Sequence, residues 1–283
     1  MATITLTEAT GSAGRLAAVA APAGGKTILR SLRCEGTLKA MRVHHLDPAL
    51  PGMAFLAIAS PGGGVLQGDR LAVDIAAEVG AHLNVGTTSA TRVYAMPRGR
   101  AEVTTNFEVA RGAYLEFMPD PIIPYAGSRY LGRSRHVVAE GGAVLVAEVV
   151  GPGREACGES LAYDVFQSET EVLRPDGATL FRDSTRLCPA EDLASPGLLG
   201  PWRALGTLFA VADGLDASVF EATVVDCEGG RLAAGCSDLP NGAGAWFRVL
   251  AGDGPAAHHA VRAAWAASRM RLLGAAPPPG RRY

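Results

Sequence analysis

Short stretches in which apolar and polar residues alternate recur through the middle of the chain. Residues 73–76 and 103–109 follow this two-residue period, and residues 145–150 form a further strand-like run. A period of two is typical of strands that bury one face. The pattern therefore predicts many short strands and few helices.

A tetrapeptide of the form Gly-Ala-x-Leu links these stretches and occurs four times. The copies begin at Gly80, Gly112, Gly142 and Gly177, which gives spacings of 32, 30 and 35 residues. Each copy follows one strand-like run and begins another, so we expect glycine in the turn and leucine at an inward-facing position. A unit of about 30 residues cannot bury its own face, so neighbouring copies must stack. We therefore predict a mainly β fold of stacked, helically coiled sheets, β-solenoid-like, over residues 30–190.

One helix is predicted close to the C-terminus, over residues 255–273. Pro255 suits a first helical turn, and Val261, Trp265 and Leu272 lie near one face. Gly274 is typical of a helix end.

The secondary structure of two other segments is less clear from the sequence. Residues 201–211 fit a helix and a buried strand equally well. Residues 1–25 are rich in Ala, Gly and Thr, which predicts a flexible N-terminal segment ahead of a single β-rich domain over residues 26–283. No window reaches 18 apolar residues, so no membrane span is predicted.

Composition excludes several classes of protein. Gly and Pro total 53 of 283 residues, charged residues make up 19%, and the net charge is −2. A coiled coil and a disordered chain do not have this composition. A nucleic-acid binder concentrates positive charge, which this chain lacks. The five cysteines include no CxxC pair, so a reducing cytoplasm suits the chain better than secretion.

No catalytic or dedicated metal motif is present. The glycine run at residues 62–64 precedes Asp69 and lacks the Gly-Lys-Ser/Thr of a phosphate-binding loop, so a tight turn before a strand is favoured. The six histidines form neither HxH nor HExxH, and no serine lies in a Gly-x-Ser-x-Gly elbow. Glu159 and Asp183 could line an interior passage, although a solvated turn is the commoner place for such acids.

The segment over residues 118–130 has three prolines within six residues, which fix a stiff, extended path. Its apolar, aromatic and arginine side chains are typical of a partner-binding surface. The candidate contact residues are Ile122, Ile123, Tyr125, Arg129 and Tyr130. An ordinary ordered crossover explains the segment equally well.

Read in order, several segments resemble the urease accessory protein D family, UreD, also called UreH. They are residues 60–64 with Gly68-Asp69, residues 87–94, residues 115–130 and Gly158-Glu159. The string from Asp120 to Tyr130 is the most specific. The likeness thins beyond residue 210 to Trp265, Arg269 and Gly274. Phe117 and Tyr125 stand where the family commonly has Trp and Phe.

The resemblance implies a cytoplasmic, non-enzymatic protein with a β-rich, helical-sheet fold and two helices. It implies docking on apo-urease, binding of the accessory protein UreF, recruitment of the GTPase UreG and help in nickel insertion. It also implies an internal tunnel that passes nickel, with no tightly bound cofactor. A conduit needs weak, exchangeable oxygen ligands. Asp69, Asp120 and Glu159 lie in the family's motif segments and are the candidate nickel-passage residues.

Two other classes remain open on the residues alone. A β-solenoid with acidic residues can be a carbohydrate-active enzyme that works through paired carboxylates. Such an enzyme needs a groove with exposed aromatic side chains, and aromatics make up 6% of this chain. A small-ligand binding barrel fits the composition but explains neither the repeat nor the proline-rich string.

Overall fold

The protein folds into two β-sheets stacked face to face, with helices on the outer side of the second sheet. The structure is a computed structural model and describes residues 11–228 and 232–278. Strands account for 47% and helices for 15%. The strands are β1 Ala13–Ala23, β2 Lys26–Gly36, β3 Lys39–Ala40, β4 Ala54–Ala59, β5 Arg70–Ala77, β6 His82–Thr87, β7 Thr91–Val93, β8 Ala101–Val109, β9 Tyr114–Phe117, β10 Ile122–Pro124, β11 Arg129–Val138, β12 Ala143–Val150, β13 Val165–Leu173, β14 Thr179–Leu187, β15 Ala204–Ala212, β16 Leu232–Asp238 and β17 Gly244–Ala251. The α-helices are α1 Glu221–Glu228 and α2 Gly254–Leu273, and short 3₁₀ turns cover Glu155–Cys157, Pro189–Glu191, Ala217–Phe220 and Pro240–Gly242.

The chain coils between the two sheets, as the repeat predicts. The first sheet has the order β14-β13-β11-β8-β5-β1-β2, and the second has β16-β17-β15-β12-β9-β6-β4-β3, with β7 and β10 beside it. β5, β8, β11 and β13 pair in parallel, and so do β4, β6, β9 and β12. Cα partners on successive coils lie 32, 29 and 36 residues apart, as in Arg70↔Glu102, Ala101↔Tyr130 and Arg129↔Val165. The β-solenoid-like prediction is confirmed.

The third and fourth copies of the tetrapeptide differ from the expectation. In the third, the positive φ of +71° belongs to Gly141 and not to Gly142. This one-residue slip pairs Leu115 with Val144. Leu145 therefore faces the outer side of the sheet, because side chains alternate along a strand. The fourth copy, at Gly177, closes the antiparallel hairpin β13–β14 within the first sheet and does not cross between sheets.

The helix near the C-terminus is confirmed. Asp253 caps its first turn by accepting from the backbone N–H of Ala256 at 2.8 Å, and Gly274 ends it at a φ of +67°. Val261 and Trp265 are buried against β15 and β17. The ambiguous segment becomes β15, in which every residue is buried, because the sheet interior covers one face and α2 the other.

The N-terminal expectation needs a correction. Residues 13–23, placed in a flexible segment on composition, form β1, which pairs with β2 on one side and β5 on the other. Leu16, Ala18 and Ala20 alternate into the core, a pattern that the many alanines disguise. Residues 1–10 lie outside the described residues.

Candidate functional site

A cavity of about 140 Å³ lies between the two sheets. Its wall on the first sheet carries a row of polar side chains that crosses the strands: Thr105, Ser134, Thr170 and Asp183 are successive Cα partners on β8, β11, β13 and β14. The hydroxyls of Thr105 and Ser134 lie 2.6 Å apart. This inner polar row runs along the stacking axis of the coil and lines the cavity with oxygen atoms.

The second sheet supplies a facing set of polar side chains. Glu148 on β12, Thr207 on β15 and Arg248 on β17 are likewise Cα partners. The hydroxyl of Ser168 on the first sheet donates to Glu148 Oε2 at 2.8 Å and so connects the sheets across the cavity. Interior positions of stacked sheets are usually apolar, so this concentration of carboxyls and hydroxyls sets the cavity apart.

A bidentate ion pair lies beside this facing set. Arg248 Nη2 donates to both carboxylate oxygens of Asp183, at 3.1 and 3.0 Å, and its Nε donates to Thr207 Oγ1 at 3.2 Å. The guanidinium lies 4.8 Å above the ring of Trp246. Arg248 thereby neutralises the charge of Asp183 at the cavity wall.

Burial raises the pKa of Glu148 to about 7. The charge of Asp183 adds to the rise, whereas the hydrogen bond from Ser168 and the charge of Arg248 oppose it. Glu148 therefore exchanges its proton close to neutral pH.

Of the three predicted passage acids, Asp120 lines the cavity. It follows β9, and its backbone N–H donates to Thr87 Oγ1 at 2.8 Å. Asp120 and Ala90 also border a larger cleft of about 630 Å³ on the outer side of the second sheet. Asp120 thus lies where the cavity adjoins the cleft.

Asp69 and Glu159 are not among the residues that line this cavity, so the structure does not bring them together with Asp120 there. The carboxylate of Asp69 accepts from the backbone N–H groups of Ser12 at 2.7 Å and Leu66 at 2.8 Å, so it fixes the turn before β5. Glu159 pairs with Arg154 in a loop, and the hydrogen bond from Arg154 lowers the pKa of Glu159.

The five candidate partner-contact residues do not share one exposed surface in the structure. Ile122 and Ile123 are half-buried in β10, Tyr125 is partly exposed beneath the guanidinium of Arg154, and Arg129 pairs with Asp164 at 2.8 Å. Tyr130 is only 6% exposed. Its ring stacks on Phe166 at 5.3 Å and lines the cavity, so Tyr130 does not belong to an exposed surface.

Glu148 and Arg248 were missed by sequence reasoning, and Asp183 was considered but not chosen. A signal for Glu148 exists: it is the one charged residue in the apolar run over residues 143–150. Glu148 is half-buried, and an acid in such a run favours a partner because removing an unpaired charge from water is costly.

Neither a metal cluster nor a spanning helix is found in the described part of the chain. Within residues 11–228 and 232–278, no group of three His, Cys, Asp or Glu side chains is arranged to hold a metal ion. Over the same residues, no helix is long and apolar enough to cross a membrane.

Comparison with known proteins identifies the family. Residues 12–282 match the family described as UreD urease accessory protein. This chain belongs to the UreD family. It is 36% identical to urease accessory protein UreD 2 of Streptomyces griseus over 90% of this chain and 88% of that protein. It is 34% identical to UreD of Cenarchaeum symbiosum, over 90% of each chain, and 38% identical to UreD of Haloarcula marismortui, over 84% of this chain and 79% of that one.

The match reaches past residue 210, where the sequence motifs thin out. The UreD relatives are named as proteins accessory to urease. A urease accessory role is therefore assigned to this chain at the level of the family.

Proposed function

We propose that this UreD chain is a non-catalytic chaperone and scaffold for nickel insertion into apo-urease in the cytoplasm. In this proposal it acts in a complex with UreF and the GTPase UreG, and nickel passes through the cavity between the two sheets. The observation that carries the proposal is the inner polar row, which runs along the coil axis opposite Glu148.

The chemistry of the cavity suits a cation in transit. Hydroxyl and carboxyl oxygens bind a borderline metal ion such as nickel weakly, whereas a cluster of His and Cys side chains would retain it. Since Arg248 already neutralises Asp183, little fixed negative charge is available to trap an ion. Glu148 can release its proton near pH 7 when a cation arrives, because metal binding and protonation compete for one carboxylate.

The carbohydrate-active alternative finds no support in this geometry. Asp183 and Glu148 both line a cavity of only about 140 Å³. Ligand pockets commonly span about 300–1,000 Å³, so a sugar chain has no room between these sheets. The region around the partly exposed Tyr125 stays a candidate contact for UreF or urease.

Nickel loading of purified apo-urease tests the proposal. Apo-urease is mixed with nickel, UreF, UreG and GTP, with and without this chain, and its nickel content is measured after gel filtration. The expected result is that the nickel content rises only when the chain is present. Equal loading without it would exclude a role in insertion.

The raised pKa of Glu148 predicts a pH-dependent stability. The pKa of this carboxyl is about 4.5 in the unfolded chain and about 7 in the folded protein. Above both values the carboxyl is ionised in both states, so folding must bury its charge. Stability contributed by the protonated form is therefore lost as the pH rises from about 5 to about 8. Glu148→Gln should match wild type at pH 4 and be more stable, on the order of 2 kcal/mol, at pH 8. Urea unfolding at both pH values checks this, and a difference that does not change with pH would contradict it.

A further inference from the structure

The cleft beside Asp120 is positively charged. It lies between α2, which contributes His258 and Arg262, and the segment before β4, which contributes Arg42 and His44. Asp120 is the one carboxylate among its lining residues. With two guanidinium groups against one carboxylate among its described lining residues, the cleft favours an anionic occupant.

The two arginines of the cleft are candidates for pairing with an outside partner. Neither Arg42 nor Arg262 makes an ion pair with any residue that the structure describes, although Arg262 lies 5.2 Å over the ring of Trp265. On the outer face of the first sheet, by contrast, Arg133 and Arg182 pair with Glu169 and Glu171. The cleft therefore carries two guanidinium groups that no residue in the described part of the chain pairs with.

Apolar side chains share the cleft with these cations. Met41 is 47% exposed at one side, and Met118 lies on the other, after β9. A small inorganic anion has no use for such side chains, whereas a peptide that carries both carboxylates and apolar groups contacts both kinds of lining. The volume of about 630 Å³ accommodates a few residues of such a segment.

The cleft also adjoins the cavity of the proposed nickel route. Asp120 and Ala90 border both the cleft and the cavity between the sheets. A protein segment seated in the cleft therefore lies next to the cavity, on the side of Asp120.

We propose that this cleft docks an acidic segment of a partner protein in urease maturation, whose carboxylates pair with Arg42 and Arg262 and whose apolar side chains contact Met41 and Met118. The proposal rests on the function proposed above and deepens it by assigning a docking surface next to the cavity. It also assigns the chemistry of the partner, an acidic and partly apolar segment.

Charge reversal at both arginines tests the docking surface. The Kd of the Arg42→Glu/Arg262→Glu variant is measured by calorimetry against the purified UreF–UreG complex and against apo-urease, each at two salt concentrations. We expect binding of one partner to weaken at least about tenfold, since like charges then face each other. The wild-type affinity for that partner should fall with salt more steeply than the affinity of the variant.

Arg111→Glu is the matched control. Arg111 is exposed, makes no ion pair with a described residue and lies in the turn before β9, at the opposite end of that strand from the cleft. Its substitution should change neither Kd by more than about twofold. Thermal unfolding of each variant verifies folding. If charge reversal unfolds the protein, Arg42→Gln/Arg262→Gln provides the same comparison with neutral side chains.

Unchanged affinity for both partners would overturn the docking proposal. A change in self-association by sedimentation, with both affinities unchanged, would also overturn it, because the occupant would then be a second copy of this chain. The nickel-loading assay separates this result from failure of the proposed function. If the wild type loads nickel into apo-urease normally and the variant binds both partners with unchanged Kd, the docking surface is rejected and the proposed function is not.

Discussion

Replacing Arg269 with methionine is expected to destabilise the fold by about 3–5 kcal/mol. Arg269 on α2 is fully buried, pairs with Asp47 and lies 3.6 Å from the carboxylate of Glu116. Methionine fills much of the same volume but leaves two buried carboxylates without a cation. Breaking a buried pair from one side is the costly case, because the remaining charge has no solvent. Urea unfolding measures the change.

The size of this effect follows from how much of the chain meets at Arg269. Glu116 on β9 accepts from Asn84 Nδ2 at 2.6 Å and from the hydroxyl of Tyr114 at 2.7 Å. Asp47 accepts from the backbone N–H of Ala49 at 3.0 Å. The network thus connects the segment before β4, the second sheet and the last helix.

Arg182→Met is the control for Arg269→Met. Arg182 pairs with Glu171 at 2.7 Å on the outer face of the first sheet and is 71% exposed. Its loss should cost less than about 1 kcal/mol. Adding Glu116→Gln to Arg269→Met should recover part of the stability, because one uncompensated charge is removed. If the urea midpoint of Arg269→Met equals that of Arg182→Met, this account of the network is contradicted.

Glu148→Gln is expected to slow nickel transfer to apo-urease about tenfold or more, comparable to the loss when a residue that supports metal ligands is replaced. Glutamine keeps the shape of the side chain and can still hydrogen-bond Ser168, but it cannot ionise to meet a cation. The variant should fold well, since it removes a carboxyl whose pKa burial raises. The initial rate of urease activation in the purified system measures the effect.

Glu169→Gln is the matched control for this variant. Glu169 is the next residue after Ser168 in β13 and points to the opposite face, where it pairs with Arg133 at 3.2 Å. A cavity route predicts a normal rate for Glu169→Gln. Equal slowing by both substitutions would show that the effect does not depend on the cavity.

The coiled architecture could be predicted because its turns repeat, but the register of the coils could not. The third Gly-Ala-x-Leu copy is preceded by Gly141, so two adjacent glycines were available for one turn. The structure uses Gly141, which makes that coil 29 residues long and turns Leu145 outward. A one-residue difference of this kind cannot be read from the composition, yet it decides which face of the sheet each side chain occupies.

The residues that line the cavity also depend on the register of the coils. The inner polar row forms because Thr105, Ser134 and Thr170 align across coils of 29 and 36 residues, and neither length is evident from the motif spacing. Asp120, which lines the cavity, could be named as a candidate from the sequence because it lies in an unusual segment. Asp69 lies in a comparable segment, but backbone N–H groups occupy its carboxylate, a partnership that only the folded chain reveals.

The central claim is that nickel reaches urease through the cavity that Glu148 lines. The most direct test is the nickel content per urease active site after maturation at pH 7 with wild-type protein, Glu148→Gln or Glu169→Gln, measured by mass spectrometry of the metal. The account predicts full loading with wild type and Glu169→Gln, and about one tenth of that at an early time point with Glu148→Gln. Equal nickel in all three samples would contradict it.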